Sequence, residues 1–236
     1  MPQVTAINHN QWVLLKRSLQ EHIDNQWFDK DYWLAQGRLL GANSGRGSAW
    51  TIKSEHGKWV LRHYYRGGLF GKLIRDSYFW TGLNNTRSFQ EFRILQVLKT
   101  KQLPAPQPIA AHVIKKGLFY RTDLIMAHIP HEMTFAQMIH ECIDDIACWQ
   151  LIGQTIAQFH QQHIYHSDLN THNILLNKDK AYLIDFDKAQ IMKKAGSWQN
   201  SNLDRLKRSI HKVSNLSCDT ELKSHWQALM DGYQSL

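Results

Sequence analysis

Residues 165 to 190 read YHSDLNTHNILLNKDKAYLIDFDKAQ. An acid, Asp168, follows His166-Ser167; an amide, Asn173, comes five residues later; a second acid, Asp185, closes the next apolar run. Those residue types at those intervals suit transfer of a phosphoryl group from a nucleotide to a hydroxyl. One carboxylate can orient the attacking hydroxyl and take its proton. An amide oxygen and another carboxylate can hold Mg²⁺ on the phosphates, because that hard cation prefers oxygen ligands.

The pattern H-x-D-x-x-x-x-N followed by D-F-x resembles the protein-kinase catalytic loop and magnesium motif. The resemblance makes His166 the loop histidine, Asp168 the catalytic base, Asn173 a metal ligand and Asp185 the principal metal ligand, with ATP and Mg²⁺ as cofactors. Upstream, GANSGRGSAW supplies Gly41, Gly45 and Gly47 at a strand turn, where absent side chains let backbone N–H groups approach phosphates. WVLR occupies the place of the kinase V-A-I-K strand, so Arg62 stands where a lysine usually grips the α- and β-phosphates. Glu91, in RSFQEF, is its expected ion-pair partner on the following helix. Four features depart from protein kinases. Ser167 replaces the arginine that reads a phosphorylated activation loop, and Asn170 replaces the catalytic-loop lysine. DFD stands for DFG, and no APE follows. With little chain left to build a peptide platform, a small-molecule or lipid acceptor is expected.

The elements that must position these residues are legible around them. NQWVLLKRSLQ has helical spacing and predicts a leading helix. From Leu39, apolar runs broken by the glycine-rich loop and an EHGK turn predict two or three antiparallel strands. Phe89, Phe92, Leu95 and Leu98 recur at three-residue steps, a helical face. LPAPQPIAAHVI ends that helix and leads into strand, and LFYRTDLIMAHI continues the sheet. Beyond Pro130, Ile146, Trp149, Ile152, Ile156 and Phe159 mark one face of a helix. Short strands follow at NILLN and AYLID, then two helices at about 200–216 and 219–234. The expected fold class is α+β, a two-lobed protein-kinase-like fold. The 236 residues form a single kinase-like domain, with a small β-rich N-lobe of about 1–126 and a helical C-lobe of about 127–236. The functional cleft is expected between the lobes.

Composition narrows the partners. The formal charge is +8, and residues 58–75 alone carry +5 through Lys58, Arg62, Arg66, Lys72 and Arg75. Residues 188–212 carry +6, leaving the rest of the chain slightly acidic at −3. Two basic zones on such a body point to an anionic partner. Phe70, Leu73, Ile74, Tyr78, Phe79 and Trp80 alternate with Lys72 and Arg75, a mixture suited to an anionic membrane surface. Packing on the small lobe is the competing role for the same segment. No uncharged apolar run approaches the roughly 18–20 residues of a membrane span, and no secretory leader is apparent. Cys142, Cys148 and Cys218 show no metal-ligand spacing and read as reduced thiols of a cytoplasmic protein.

Taken together, LRHYYRGGLFGKLIRDSYFW, TRSFQEFRIL, LPAPQPIAA, HSDLNTHNILL, LIDFDKA and NLDRLKRS resemble the bacterial 3-deoxy-D-manno-octulosonic acid (Kdo) kinases, from about Leu39 to His211. The resemblance implies ATP-dependent phosphorylation of the 4-hydroxyl of Kdo on a lipid A precursor, in lipopolysaccharide core synthesis. It places the protein peripherally on the cytoplasmic face of the inner membrane. A Kdo-bearing lipid A precursor and the anionic membrane surface are then the expected partners; no nucleic acid is expected, and the oligomeric state is left open. An atypical small protein kinase shares the same element order. A catalytically dead kinase-fold scaffold is the reading that Arg62, in the lysine position, leaves open.

Overall fold

Phe89, Phe92, Leu95 and Leu98 are all fully buried, and the helix that their spacing predicts runs from Arg87 to Thr100. A computed structural model describes residues 2–16, 19, 24–42, 49–66, 76–141, 145–214 and 219–236. Its described elements are, in chain order, β1 (Gln3–Asn8), β2 (Gln11–Leu15), α1 (Lys30–Ala35), β3 (Leu39–Ala42), β4 (Ala49–Ser54), β5 (Gly57–His63), β6 (Tyr78–Phe79), α2 (Arg87–Thr100), β7 (Pro108–Lys116), β8 (Phe119–Ala127), β9 (Met133–Thr134), α3 (Phe135–His140), α4 (Ile146–Gln161), β10 (Ile164–Tyr165), β11 (Ile174–Asn177), β12 (Lys180–Leu183), β13 (Gln190–Ile191), α5 (Ser197–Val213) and α6 (Asp219–Gln234). The chain divides into two compact units, residues 1–96 with 106–129, and residues 97–105 with 130–236.

The first unit is built on one antiparallel sheet in the order β1-β2-β7-β8-β5-β4-β3, with β6 pairing on β8. Its core gathers Val13, Leu15, Trp33, Ile52, Trp59, Leu61 and Ile125, each at most 2% exposed. The first turn of α2 is tied to this sheet by Ser88, which bonds the Thr122 hydroxyl, while Thr122 Oγ1 donates to the His112 carbonyl at 2.7 Å. A buried acid, Asp123, lies between His63 (Nδ1 to Oδ1, 2.6 Å) and His112 (Nδ1 to Oδ2, 3.6 Å). Burial works to raise the Asp123 pKa, but the two flanking imidazoles outweigh it and hold it low. Burial works to lower His63, and there the hydrogen bond and charge of Asp123 win, raising it.

The leading helix is not formed. Residues 11–15 are instead the strand β2, paired with β1 on one side and β7 on the other. Val13 and Leu15 face the core at 0% and 1% exposure, and Trp12, on the opposite face, stacks on Trp80 at 5.4 Å. An apolar run of four residues is too short for its period to decide between helix and strand, and two available sheet partners settle it. The same stacking, with the β6–β8 pairing, gives Tyr78 and Trp80 packing roles on the sheet, while Phe79 stays 57% exposed. Phe70, Lys72, Leu73, Ile74 and Arg75 lie outside the described residues.

In the second unit Trp149, Ile152, Ile156 and Phe159 line the buried face of α4 as the spacing predicts. Ile146, at the first position of the helix, is 43% exposed, so the apolar stripe begins one turn later. Asp145 caps that end by accepting from the Cys148 N–H at 3.0 Å. The strands β12, β11 and β9 form a small antiparallel sheet, and β10 pairs with β13. The helices α4 and α6 come into backbone contact at two glycines, Gly153 and Gly232. A Cβ added to Gly153 would sit 1.9 Å from the Leu229 carbonyl oxygen, and one added to Gly232 would sit 2.1 Å from that of Gln150.

Gly153→Ala is therefore expected to destabilise the protein by about 3 kcal/mol, the upper end of overpacking costs, because the obstacle is backbone and cannot rotate away. That exceeds the roughly 1 kcal/mol that alanine ordinarily gains over glycine within a helix. Urea unfolding of the variant and the parent checks it; an unchanged or raised midpoint would refute the close crossing.

Candidate active site

Three residues spaced along one helix and the loop they touch define the site in the second unit. On α5, Asn202, Arg205 and Ser209 fall at intervals of three and four, so they share a face beside the buried Leu206 and Ile210. Asn202, 1% exposed, donates from Nδ2 to the His166 carbonyl at 2.8 Å and accepts the His166 N–H on Oδ1 at 3.2 Å. Ser209 Oγ accepts the Thr171 N–H at 3.1 Å and meets the Thr171 hydroxyl at 3.0 Å. Between them, Arg205 Nη1 donates to Asp168 Oδ1 at 2.8 Å.

The imidazole of His166 is fully enclosed. Its Nδ1 accepts the Asp168 N–H at 3.2 Å, which puts the proton on Nε2, and Nε2 donates to the Ile184 carbonyl at 2.9 Å. One ring thus ties the residue that starts the loop to the residue before Asp185. Burial keeps its pKa below the ordinary histidine value, against the weaker pull of that carbonyl bond and of Asp185 and Asp168. Phe186 is fully buried and meets the His166 ring edge-on at 4.9 Å.

Asn170 shapes the turn that follows. Its Oδ1 accepts the N–H groups of His172 at 2.9 Å and Asn173 at 3.2 Å, and its Nδ2 donates to the Asp168 carbonyl at 3.1 Å. That local bonding explains an asparagine at this position. Asn173 Nδ2 donates to the same Asp168 carbonyl at 2.9 Å, which fixes the amide and turns its Oδ1 the other way. The Asn173 carbonyl in turn accepts the Ile184 N–H at 3.0 Å. Asp185 follows with φ of 64°, a left-handed conformation that aspartate tolerates better than most side chains. Ser167 Oγ donates to the Asp187 carbonyl at 2.5 Å, bracing the DFD turn on the loop.

Asp168, Asn173 and Asp185 are therefore brought together by a continuous set of bonds through His166, Ile184 and Asn170. An amide oxygen and a carboxylate, with nucleotide phosphates supplying further oxygens, match the usual Mg²⁺ arrangement of one or two carboxylates plus substrate. Among the described residues no group of three or more His, Cys, Asp or Glu forms a metal cage of its own. In the first unit Arg62 meets Glu91 as the sequence led one to expect, with Nη1 at 3.0 and 3.3 Å from the two carboxylate oxygens. The pair is buried, at 17% and 1% exposure, and Tyr64 adds its hydroxyl to Glu91 while lying 4.9 Å under the Arg62 guanidinium. Gly45 and Gly47 lie outside the described residues; Gly41 is described and has a φ of 157°. Asn202, Arg205, Ser209 and Tyr64 were not assigned roles from sequence, although NLDRLKRS displays polar side chains interleaved with the apolar face at helical intervals.

The strand-rich first unit, the helix-rich second unit and this loop define a protein-kinase-like α+β fold. The solved structure "WaaP in complex with acyl carrier protein" superposes with a TM-score of 0.57 at 14% identity, covering 95% of this chain and 89% of that one. Residues 30–233 match the model of the Lipopolysaccharide kinase (Kdo/WaaP) family, and the chain belongs to that family. It is 40% identical to the 3-deoxy-D-manno-octulosonic acid kinase of Vibrio parahaemolyticus over 204 residues, 86% of this chain and 85% of the relative. The protein of that name from Stenotrophomonas maltophilia K279a is also 40% identical, over 85% and 80% of the two chains.

A second buried histidine gives the site a pH signature. His160 bonds Tyr233 at 2.9 Å and approaches Asn202 at 3.4 Å, and burial pushes its pKa down to about 4 despite the Asn202 bond. The unfolded chain takes up this proton near pH 6.5, whereas the folded one refuses it until about pH 4. Its contribution is thus complete above pH 6.5, declines as pH falls through that window and is gone below it. His166 shifts in the same direction. Through that window His160 is expected to lower stability by up to about 1.4 kcal/mol per pH unit. Denaturant unfolding from pH 7 to 4 measures the slope, and His160→Gln should flatten it; an equal slope in that variant would show that His160 is not the source.

Proposed function

We propose that the chain is an ATP-dependent kinase that phosphorylates the 4-hydroxyl of Kdo on a Kdo-bearing lipid A precursor, a step of lipopolysaccharide core synthesis. The observation that carries the chemistry is the placement of Asp168, held by its own backbone to His166 and Asn173, with its carboxylate half exposed. The acceptor follows from family membership and from relatives named 3-deoxy-D-manno-octulosonic acid kinase.

In this reading Asp168 orients the acceptor hydroxyl and takes its proton as the phosphoryl group transfers. Asn173 Oδ1 and the Asp185 carboxylate would hold Mg²⁺, which when bound neutralises charge on the phosphates. Neutral His166 does no proton transfer; it holds the two ends of the loop. Arg62, kept in place by Glu91 and stacked on Tyr64, serves the ATP phosphates, with Gly45 and Gly47 assigned to the same nucleotide. A bidentate guanidinium replaces the point charge of a lysine, so Arg62→Lys is not a neutral change.

Three substitutions separate these roles. Asp168→Asn is expected to keep the fold and nucleotide binding while turnover falls about 10²-fold or more. Asp185→Asn should weaken Mg²⁺-dependent nucleotide binding more than Asn173→Ala does, since it removes a full charge. Arg62→Ala should raise the KM for ATP. Phosphoryl transfer to a Kdo-bearing lipid, compared with casein, is the direct assay; near-normal turnover by Asp168→Asn, or transfer to casein alone, would overturn the reading.

A lipid-borne acceptor also requires a protein that works at a surface. Among the described residues no helix is long and apolar enough to cross a membrane. Lys193, Lys194, Lys207, Arg208 and Lys212 are exposed within the basic stretch 188–212. At about 1 kcal/mol per engaged cation, three of them would support reversible docking on anionic lipid, weakened by salt. Vesicle co-sedimentation that rises with anionic lipid and falls with salt is expected, and binding indifferent to both would remove the membrane from this reading. From the lipid-borne acceptor we infer a peripheral position on the cytoplasmic face of the inner membrane.

A further inference from the structure

Arg205 is the cation closest to the chemistry that no role yet covers. It contacts Asp168 at 2.8 Å through one carboxylate oxygen, Oδ1, while the other is left to face an acceptor. Both side chains are about half exposed, at 47% and 53%. An ion pair that wet contributes only about 0–1 kcal/mol, so it does not explain itself as a stabilising feature. Yet the backbone that carries Arg205 is fixed with respect to the loop, because Asn202 one turn before and Ser209 one turn after are both bonded to it. The result is a half-exposed guanidinium on a tethered helix, beside the carboxylate that would meet the acceptor hydroxyl.

The position also matters for what the loop itself lacks. Asn170 spends its side chain on the turn and offers no charge, so the cation beside the base comes from α5. A guanidinium has five donors in a planar fork and can satisfy two carboxylates at once, where a lysine would act as a point charge. The proposed acceptor is a sugar acid: its carboxylate is carried on C2, two ring positions from the hydroxyl at C4. An acceptor that places this hydroxyl against Asp168 brings its acid group within the neighbourhood that Arg205 sweeps.

We propose that Arg205 is the residue that reads the acid group of the acceptor sugar, bridging it to Asp168 and so setting the hydroxyl against the base. This rests on the reading that the acceptor is Kdo, and it adds the contact that would distinguish a sugar acid from a neutral sugar.

The test is steady-state kinetics on the full chain with two acceptors: the Kdo-bearing lipid, and the same lipid with the Kdo carboxylate converted to its primary amide. The parent protein is expected to favour the acid about ten- to hundredfold in kcat/KM, the size of one charge-assisted contact. Arg205→Gln should raise the KM for the acid acceptor by that factor, leave the KM for ATP within about twofold and abolish the preference between the two acceptors. Arg205→Lys should fall between. Equal loss of kcat on both acceptors with unchanged KM would overturn the proposal and assign Arg205 to the transferring phosphoryl group or to Asp168 alone. A parent protein indifferent to acid and amide would overturn it without any variant, even if Arg205→Gln failed to fold. No transfer to either lipid by the parent would instead sink the Kdo reading, and this proposal with it.

Discussion

One buried amide organises the site. Asn202 offers a donor and an acceptor in the same plane, and it spends them on the C=O and N–H of a single residue, His166. Carboxylates accept only, and aliphatic side chains would leave both backbone groups unpaired, each at a cost of about 1–3 kcal/mol. With His166 held by its backbone, its ring can afford one tautomer only. The Asp168 N–H occupies Nδ1, and the proton on Nε2 reaches across to Ile184. Burial of a charge on that ring outweighs the pull of Asp185 and Asp168, so the low pKa and the hydrogen-bond pattern express the same constraint. The loop is thus set by neutral groups, and Asp168, Asp185 and Arg205 are left less enclosed than His166 and Asn202.

In the other unit the opposite solution holds a charged group in place. Glu91 is 1% exposed and accepts from Arg62 and Tyr64, while the Arg62 guanidinium also covers the Tyr64 ring. An arginine suits this environment because it sheds water more readily than an ammonium and can bond and stack together. The replacement of the usual lysine therefore comes with a tyrosine two residues later that lysine would use less well.

Asp168, Asn173 and Asp185 stood out in the sequence because the proposed chemistry demands fixed residue types at fixed intervals, and the structure ties them to one loop and turn. The Arg62–Glu91 pair followed from strand and helix order. Helix α2 was legible because Phe89, Phe92, Leu95 and Leu98 keep one period across ten of its fourteen positions. β2 was not, since four consecutive apolar residues satisfy either period, and its neighbours in the sheet are distant in sequence. The α5 residues were missed for another reason. Asn202 and Ser209 are ordinary polar residues whose importance lies in what they meet across more than 35 positions, at separations of 36 and 38 residues. No periodicity announces such a partner.

The order of these parts along the chain has a consequence for biosynthesis. Asp168, Asn173 and Asp185 all precede residue 190, but the helix that holds the loop spans Ser197–Val213, and the crossing through Gly153 needs Gly232. A nascent chain that has released only its first 190 residues carries the reactive groups without the amide that fixes His166. Domains tend to fold as units while they emerge from the ribosome. Here the loop cannot be fixed until α5 has emerged, so a product terminated before Ser197 would carry Asp168, Asn173 and Asp185 without the Asn202 amide that holds His166.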